Sequence, residues 1–226
     1  MNKQKIFEIA NYIFFSLVII VCLVLTIVLK LDWWAFVTCA TTILYFVFLS
    51  HKNILNAVLG LLSSAAYIVV AYKLHLYGEV IYYLAFDIPA TIVSFILWLK
   101  HRESKLKVKT RSLKWYIVLA IAISSCLAVV GYAQLLKYLG GANVWLDSLV
   151  AVLALVSALL VMFRCREQWA VWIVLYIAGV TLYVTTFDLL MLIMCCSCLL
   201  SSIIGFIVWH KNNKNVEWKN DGKKHA

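Results

Sequence analysis

Eight stretches of this chain are apolar for long enough to cross a bilayer, at about 12–29, 33–50, 54–72, 76–99, 114–136, 143–163, 168–186 and 188–209. A spanning helix needs about 20 predominantly apolar residues. A mean hydropathy of +0.96, with 65% of residues hydrophobic, is more apolar surface than a water-soluble domain hides. The fold class is therefore an all-α polytopic membrane protein. The connections leave no room for a separate soluble catalytic domain.

Basic residues orient the spans. With a cytoplasmic N-terminus, seventeen of the twenty lysines and arginines fall on the inner side, and Lys30, Lys73 and Lys137 on the outer. That is the positive-inside pattern, and it places both termini in the cytoplasm. The net charge of +10 then reports orientation. The run KHRESKLKVKTRSLK would otherwise suggest nucleic acid, but beside spans no nucleic-acid partner is expected. Neither catalytic residues nor cofactors are expected. The five histidines lie in or beside loops, and none has a carboxylate at metal or acid/base spacing. The CCSC cluster at 195–198 has no His or carboxylate near it in sequence and reads as packing, with no metal. A primary pump is excluded within this chain, which has no Gly-x-x-x-x-Gly-Lys-Ser/Thr phosphate loop.

The chain repeats itself. SFILWLK at 94–100 returns as GFIVWHK at 205–211, displaced by 111; Leu31-Asp32 matches Leu146-Asp147 at 115, and Tyr67 matches Tyr183 at 116. Two three-helix units follow, 31–100 and 141–211, joined by a basic loop and linker helix over 101–140. An extra transmembrane helix over 1–30 precedes them, and a cytoplasmic tail, 212–226, ends the chain. One linker span between two odd units makes the repeats parallel, a 3+1+3 order. Transporters with this symmetry bind solute near the midplane, between the repeats.

Trp169, Trp172 and Tyr176, at i, i+3 and i+7, share one helix face. Such a stripe can meet lipid, pack a neighbouring helix or line a solute route. At a displacement of 116 it falls opposite Asn53, Asn56 and Gly60, which gives a slot with an aromatic wall and an amide wall. A heteroaromatic ring joined to a sugar suits that lining. Asp87 stands mid-span beside Pro89; a charge there is costly, so it faces the bundle as a solute contact, a gate or a packing residue. Pro89 is expected to bend the span. Tyr67 and Tyr183 form a possible paired gate or simply pack. Glu79 is a further gate or proton-site candidate, although with Asp147 and Asp32 it reads first as a helix-end polar contact or a trimer contact near the outer surface. Trp98 and Trp209 at the inner ends, and Trp33 and Trp34 at the outer, are expected in the interfacial aromatic belt.

At these residues the chain resembles the PnuC family of vitamin-precursor transporters. The resemblance rests on KNILNAVLGLLS at 52–63, KLHLYGEVIYYL at 73–84 with the FILW end of that span, WLDSLVAVLALVSALLVMFRCREQW at 145–169 and the Trp-x-x-Trp of span 7. It covers about 31–211. It implies a core like that of the SWEET sugar carriers, assembled as a homotrimer in the cell membrane. It also implies facilitated diffusion, with a cytoplasmic kinase phosphorylating and trapping the solute. The family's nicotinamide riboside pattern, Trp-x-x-Trp-x-x-x-Asn/Asp, ends here in Tyr176, and Tyr83 stands where the family often has Gln. Both changes make the site more aromatic, which favours a cargo with fewer hydroxyls, a deoxynucleoside. The alternatives are nicotinamide riboside or thiamine by facilitated diffusion, or proton-coupled uptake of the same solutes. Riboflavin is another of the family's cargoes.

Overall fold

A computed structural model describes residues 3–101, 110–141 and 143–221, with side chains from 9 to 209 within those ranges. Residues 102–109 of the expected basic loop and the side chains of the lysine-bearing tail lie outside the described residues. Eight helices there are long and apolar enough to cross a membrane. They are α1 (Lys3–Val28), α2 (Trp33–Ser50), α3 (Asn56–Lys73), α4 (Tyr77–Lys100), α5 (Trp115–Tyr138), α6 (Val144–Met162), α7 (Gln168–Thr186) and α8 (Leu189–Asp221). Helices satisfy each backbone N–H and C=O within their own segment, which hydrocarbon demands. Apart from the start of α1 and the far end of α8, the ends fall within two residues of the apolar stretches.

Five helices end alike. The N–H groups of Leu31, Asn53, Leu76, Gly141 and Cys165 each bond the carbonyl five residues back, at 2.8–3.1 Å. The residue before each is left-handed: Lys30, Lys52, His75, Gly140 and Arg164. This closure satisfies a carbonyl that the last turn leaves open. It also fixes the register of the repeat. Lys52 and Arg164 close α2 and α6, and Asn56 and Gln168 open α3 and α7, in each case 112 residues apart. The displacement is thus 111–112 throughout, without the drift to 116 that the sequence matches implied. Trp172 corresponds to Gly60 and Tyr176 to Ser64, one turn from the expected pairing.

Six helices close a ring in the order α2, α3, α4, α6, α7, α8 and back to α2. Each contact in one triplet has its counterpart in the other: α2–α3 with α6–α7, α3–α4 with α7–α8, and the seam α4–α6 with the seam α8–α2. α5 lies outside on α6, and α1 outside on α2 and α8. Both seams are tied by an indole. The Trp98 N–H donates to the Val161 carbonyl at 3.0 Å, and the Trp209 N–H donates to the Ser50 carbonyl at 3.1 Å. Each is 1% exposed. These two residues are seam ties, not members of the interfacial belt. Trp33 and Trp34 remain exposed at the opposite ends.

Pro89 follows a local widening of α4. Immediately before it, Tyr83–Asp87 forms a π-turn, in which the Ile88 N–H bonds the Tyr83 carbonyl. The wider turn takes up the missing donor and the ring's demand for space. The polar helix-end readings also resolve. Asp32 accepts the Trp34 N–H at 3.0 Å and pairs with Lys73 at 2.5 Å. Burial pushes its carboxyl up, but the Lys73 ammonium and the Trp34 N–H outweigh that and hold it below the usual range. Asp147, fully buried on α6, caps α4 from across the seam by accepting the N–H groups of Gly78 and Glu79 at 3.0 and 3.2 Å.

Gly205 provides a direct test of this packing. A Cβ there would stand 2.5 Å from the Trp169 six-membered ring, whereas one at Gly131 meets nothing within 4 Å. Gly205→Val should lower stability by about 1–3 kcal/mol through overpacking. Gly131→Ala should leave the thermal midpoint unchanged or raise it. Melting of the purified variants in detergent, followed by tryptophan fluorescence, measures both.

Candidate functional site

The middle helices of the two triplets, α3 and α7, face one another across the ring. Between them run two chambers, arranged along the helix axes. The first leaves about 60 Å³ open to the centre of a water molecule, and its lining includes Asn56, Gly60, Ser63, Ser64, Asp87 and Trp172. The second, nearer the ends that carry Lys73, leaves about 40 Å³ and includes Tyr67, Glu79, Gly179 and Tyr183. Thr42, Tyr83, Trp172 and Tyr176 line both and form the layer between them.

The aromatic wall is real but shorter than the sequence stripe. Trp172 and Tyr176 stack with centroids 5.7 Å apart at 17°. Phe46 of α2 meets both edge-on, at 4.9 and 5.2 Å. The Trp172 indole N–H, buried beside the chamber, has no hydrogen-bond partner. Trp169 does not reach either chamber. It is 0% exposed, packed edge-on against Trp209 at 5.7 Å and over Gly205.

The polar wall likewise excludes one expected residue. Asn53 lies in the turn before α3, where its side-chain oxygen accepts the Leu55 N–H at 3.0 Å. It lines neither chamber. Asn56 does, with its amide donating to the Asn53 carbonyl at 2.7 Å. Asp87, aimed inward from the π-turn, accepts from the Ser64 hydroxyl at 2.5 Å and the Tyr82 hydroxyl at 2.9 Å. A carboxylate offers about four acceptor sites, so two remain for a solute. Ser64 and Tyr82 fix the carboxylate without occupying its whole capacity.

Tyr67 and Tyr183 meet through their hydroxyls and so join α3 to α7 across the ring. Tyr83 leans on Tyr67 at 4.7 Å. Glu79 is buried beside them, with one carboxylate oxygen unpartnered. Tyr67, Glu79 and Tyr183 line the second chamber and not the first. Among the described residues, no three His, Cys, Asp or Glu side chains are placed to hold a metal ion.

Several lining residues lay outside the sequence expectation. Ser63 and Ser64 continue the face of Asn56 and Gly60 at helical spacing, and that signal was readable. Thr42 and Phe46 come from α2, Thr91 and Ser94 from α4 beyond Pro89. Nothing in their local sequence marks them; ring closure brings them to the cavity.

Residues 32–211 match the family model described as nicotinamide mononucleotide transporter. The chain is 33% identical over 194 residues to the nicotinamide riboside transporter PnuC of Neisseria mucosa, covering 80% of this chain and 73% of that one. It is 25% identical over 185 residues to the nicotinamide riboside transporter PnuC of Haemophilus influenzae, covering 80% of each. A crystal structure of the vitamin B3 transporter PnuC superposes with a TM-score of 0.81 at 30% identity, over 91% of this chain and 92% of that one.

The tyrosine pair should show energetic coupling. Tyr67→Phe and Tyr183→Phe each leave one buried hydroxyl without its mate, while the double variant removes both. A double-mutant cycle by denaturation should give a coupling energy of about 1 kcal/mol. Strict additivity would mean that the hydroxyls do not hold the two middle helices together.

Proposed function

The chain belongs to the nicotinamide mononucleotide transporter family, the PnuC transporters, and from that membership we propose that it carries nicotinamide riboside by facilitated diffusion. It is a multi-pass membrane transporter and not an enzyme. The observation that carries the choice of cargo is the presence of a half-buried carboxylate, Asp87, and the Trp172–Tyr176 stack in the lining of one chamber. Nicotinamide riboside joins a cationic pyridinium ring to a hydroxylated sugar. The ring gains from an aromatic face and from a nearby carboxylate. The ribose hydroxyls find acceptors at Asp87 and Asn56 and a donor at Ser63.

This assignment replaces the deoxynucleoside preference as the main reading. That preference rests on Tyr176, a phenol where the family pattern has Asn or Asp, and on Tyr83, where the family often has Gln. Loss of an amide or carboxylate there matters less once Asp87, Asn56 and the serines of α3 supply polar groups of their own. The deoxynucleoside reading retains the support of Tyr176 and Tyr83, which both line the chamber.

The chamber is small beside the roughly 300–1,000 Å³ of ordinary ligand sites, so a nucleoside enters only if the walls part. The three-helix units 31–100 and 141–211 would rock about the slot, with Tyr67, Tyr183 and Glu79 as the gate. The face bearing Lys52, Arg111 and Arg164 would be cytoplasmic on the positive-inside rule, with both termini on that side of the plasma membrane. Phosphorylation by a cytoplasmic kinase would then make a downhill carrier accumulate its solute. Homotrimeric assembly and the kinase partner come from the family resemblance.

Calorimetric titration of the purified protein with nicotinamide riboside, thymidine and thiamine tests the reading. Nicotinamide riboside should bind at least tenfold more tightly than thymidine. Trp172→Ala should weaken it tenfold or more, and Asp87→Asn should weaken it more than it weakens thymidine. Trp169→Phe should leave affinity within threefold. Tighter binding of thymidine would restore the deoxynucleoside as cargo.

A further inference from the structure

Outside the ring, between α5 and the seam of α4 with α6, runs an apolar groove that the transport reading does not use. It consists of two lobes, about 470 and 260 Å³, which share Ala128, Val152 and Leu155. Along α5 it extends from Ile121 to Leu135, about 20 Å at 1.5 Å per residue. Its α5 wall is cut back to Ser124, Ala128 and Gly131, and beyond Gly131 there is open space. Few polar groups reach it. The Ser124 and Ser125 hydroxyls are bonded to their own helix, and the Tyr82 hydroxyl to Asp87 and Ala154. A long, narrow, apolar slot within membrane-spanning segments fits an extended hydrocarbon tail.

A second observation says what stands at its end. One turn beyond Leu160, where α6 stops, residues before α5 are strapped to the α6–α7 turn. The Arg111 N–H bonds the Arg164 carbonyl at 2.9 Å, and the Arg166 N–H bonds the Arg111 carbonyl at 3.0 Å. Two like charges, Arg111 and Arg164, are thereby held side by side. Burial first, and then the Arg111 charge, push the Arg164 guanidinium down from its usual value. Arg164 is 8% exposed and its Nε is buried without a hydrogen-bond partner. Arg166 is neutralised by Glu167 at 3.2 Å, but among the described residues no carboxylate pairs with Arg111 or Arg164. Such a pair is stable next to an anion, and a phosphate takes two guanidinium groups well.

We infer that the α4–α5–α6 groove is a binding site for one anionic phospholipid, with an acyl tail along Gly131 and Ala128 and the phosphate at Arg111 and Arg164. The site is separate from the solute chamber and shares only Tyr82 with it. The tail lies against the ring whose hydroxyl holds Asp87.

Native mass spectrometry of the full chain in detergent, titrated with phosphatidylglycerol and phosphatidylcholine of identical tails, tests the assignment. The chain should take up one phosphatidylglycerol with at least tenfold lower Kd than phosphatidylcholine. Arg111→Gln with Arg164→Gln should bring the two lipids to within twofold. A Cβ at Gly131 meets nothing within 4 Å, so Gly131→Leu should fold, and it should weaken both lipids at least fivefold. Equal affinity for the two lipids in the unaltered chain, or Gly131→Leu without effect, would overturn the proposal. So would oxidative cross-linking of Gly131→Cys between two copies, which would make the groove an oligomer contact.

Discussion

Two indole hydrogen bonds tie the seams at which the ring of six helices closes. A helix ending inside or at the edge of a membrane leaves carbonyls with no intrahelical donor, and hydrocarbon offers them none. Trp98, from the last turn of α4, gives its N–H to the last turn of α6; Trp209, from the last membrane turn of α8, gives its N–H to the last residue of α2. The third helix of each triplet thus satisfies the first helix of the other. One chemical requirement, met twice 111 residues apart, joins two triplets into a closed frame at one membrane face. At the other face the frame is held differently, by the Asp147 cap on α4 and by the Tyr67–Tyr183 contact. The two ends of the cavity are therefore built from different chemistry, indole to carbonyl at one and ionisable or phenolic groups at the other.

Within a symmetric frame the site is filled asymmetrically. With the register at 112, Trp172 corresponds to Gly60, Tyr176 to Ser64, Tyr67 to Gly179 and Tyr183 to Ala71. Each of these four rings has a small residue at the matching place on the other middle helix. Alternation of large and small lets the rings interdigitate along the axis, as packed cores do. It also gives one wall π-faces and the other hydroxyls and amides, and this chemical difference is what a solute with a ring and a sugar needs.

Much of the frame was legible in the sequence because the membrane imposes few choices. Apolar length alone places the spans, and the FI-x-W recurrence marks the equivalent ends of α4 and α8. The register was misread for an identifiable reason. Aromatic and acidic matches such as Tyr67 with Tyr183 suggest homologous positions, but those two residues are neighbours in space rather than equivalents in the repeat. The structural equivalence is carried by Lys52 and Arg164, left-handed non-glycine residues with no sequence mark of their conformation. Trp98 and Trp209 were misplaced for a related reason. A tryptophan at a helix end has the same sequence signature whether it floats at the interface or is buried against a carbonyl. Only the partner distinguishes the two, and the partner lies more than sixty residues away.

Part of the chamber lining is legible in the sequence and part is not, for the same reason. Trp172, Tyr176, Asn56 and Asp87 could be singled out because each is anomalous for its own span: large and polar-tipped, or polar where hydrocarbon surrounds the helix. Thr42, Thr91 and Ser94 are not anomalous, since a hydroxyl can satisfy itself on the preceding turn of any membrane helix. Phe46 is an ordinary apolar residue. Their role is positional, and it exists only once α2 and α4 stand on either side of α3. Trp169 fails by the converse argument. It shares the face of Trp172, but α8 comes so close at Gly205 that its ring is enclosed. A helix face is therefore a necessary condition for lining a site and not a sufficient one; the depth at which a neighbouring glycine admits another helix decides where the face becomes core.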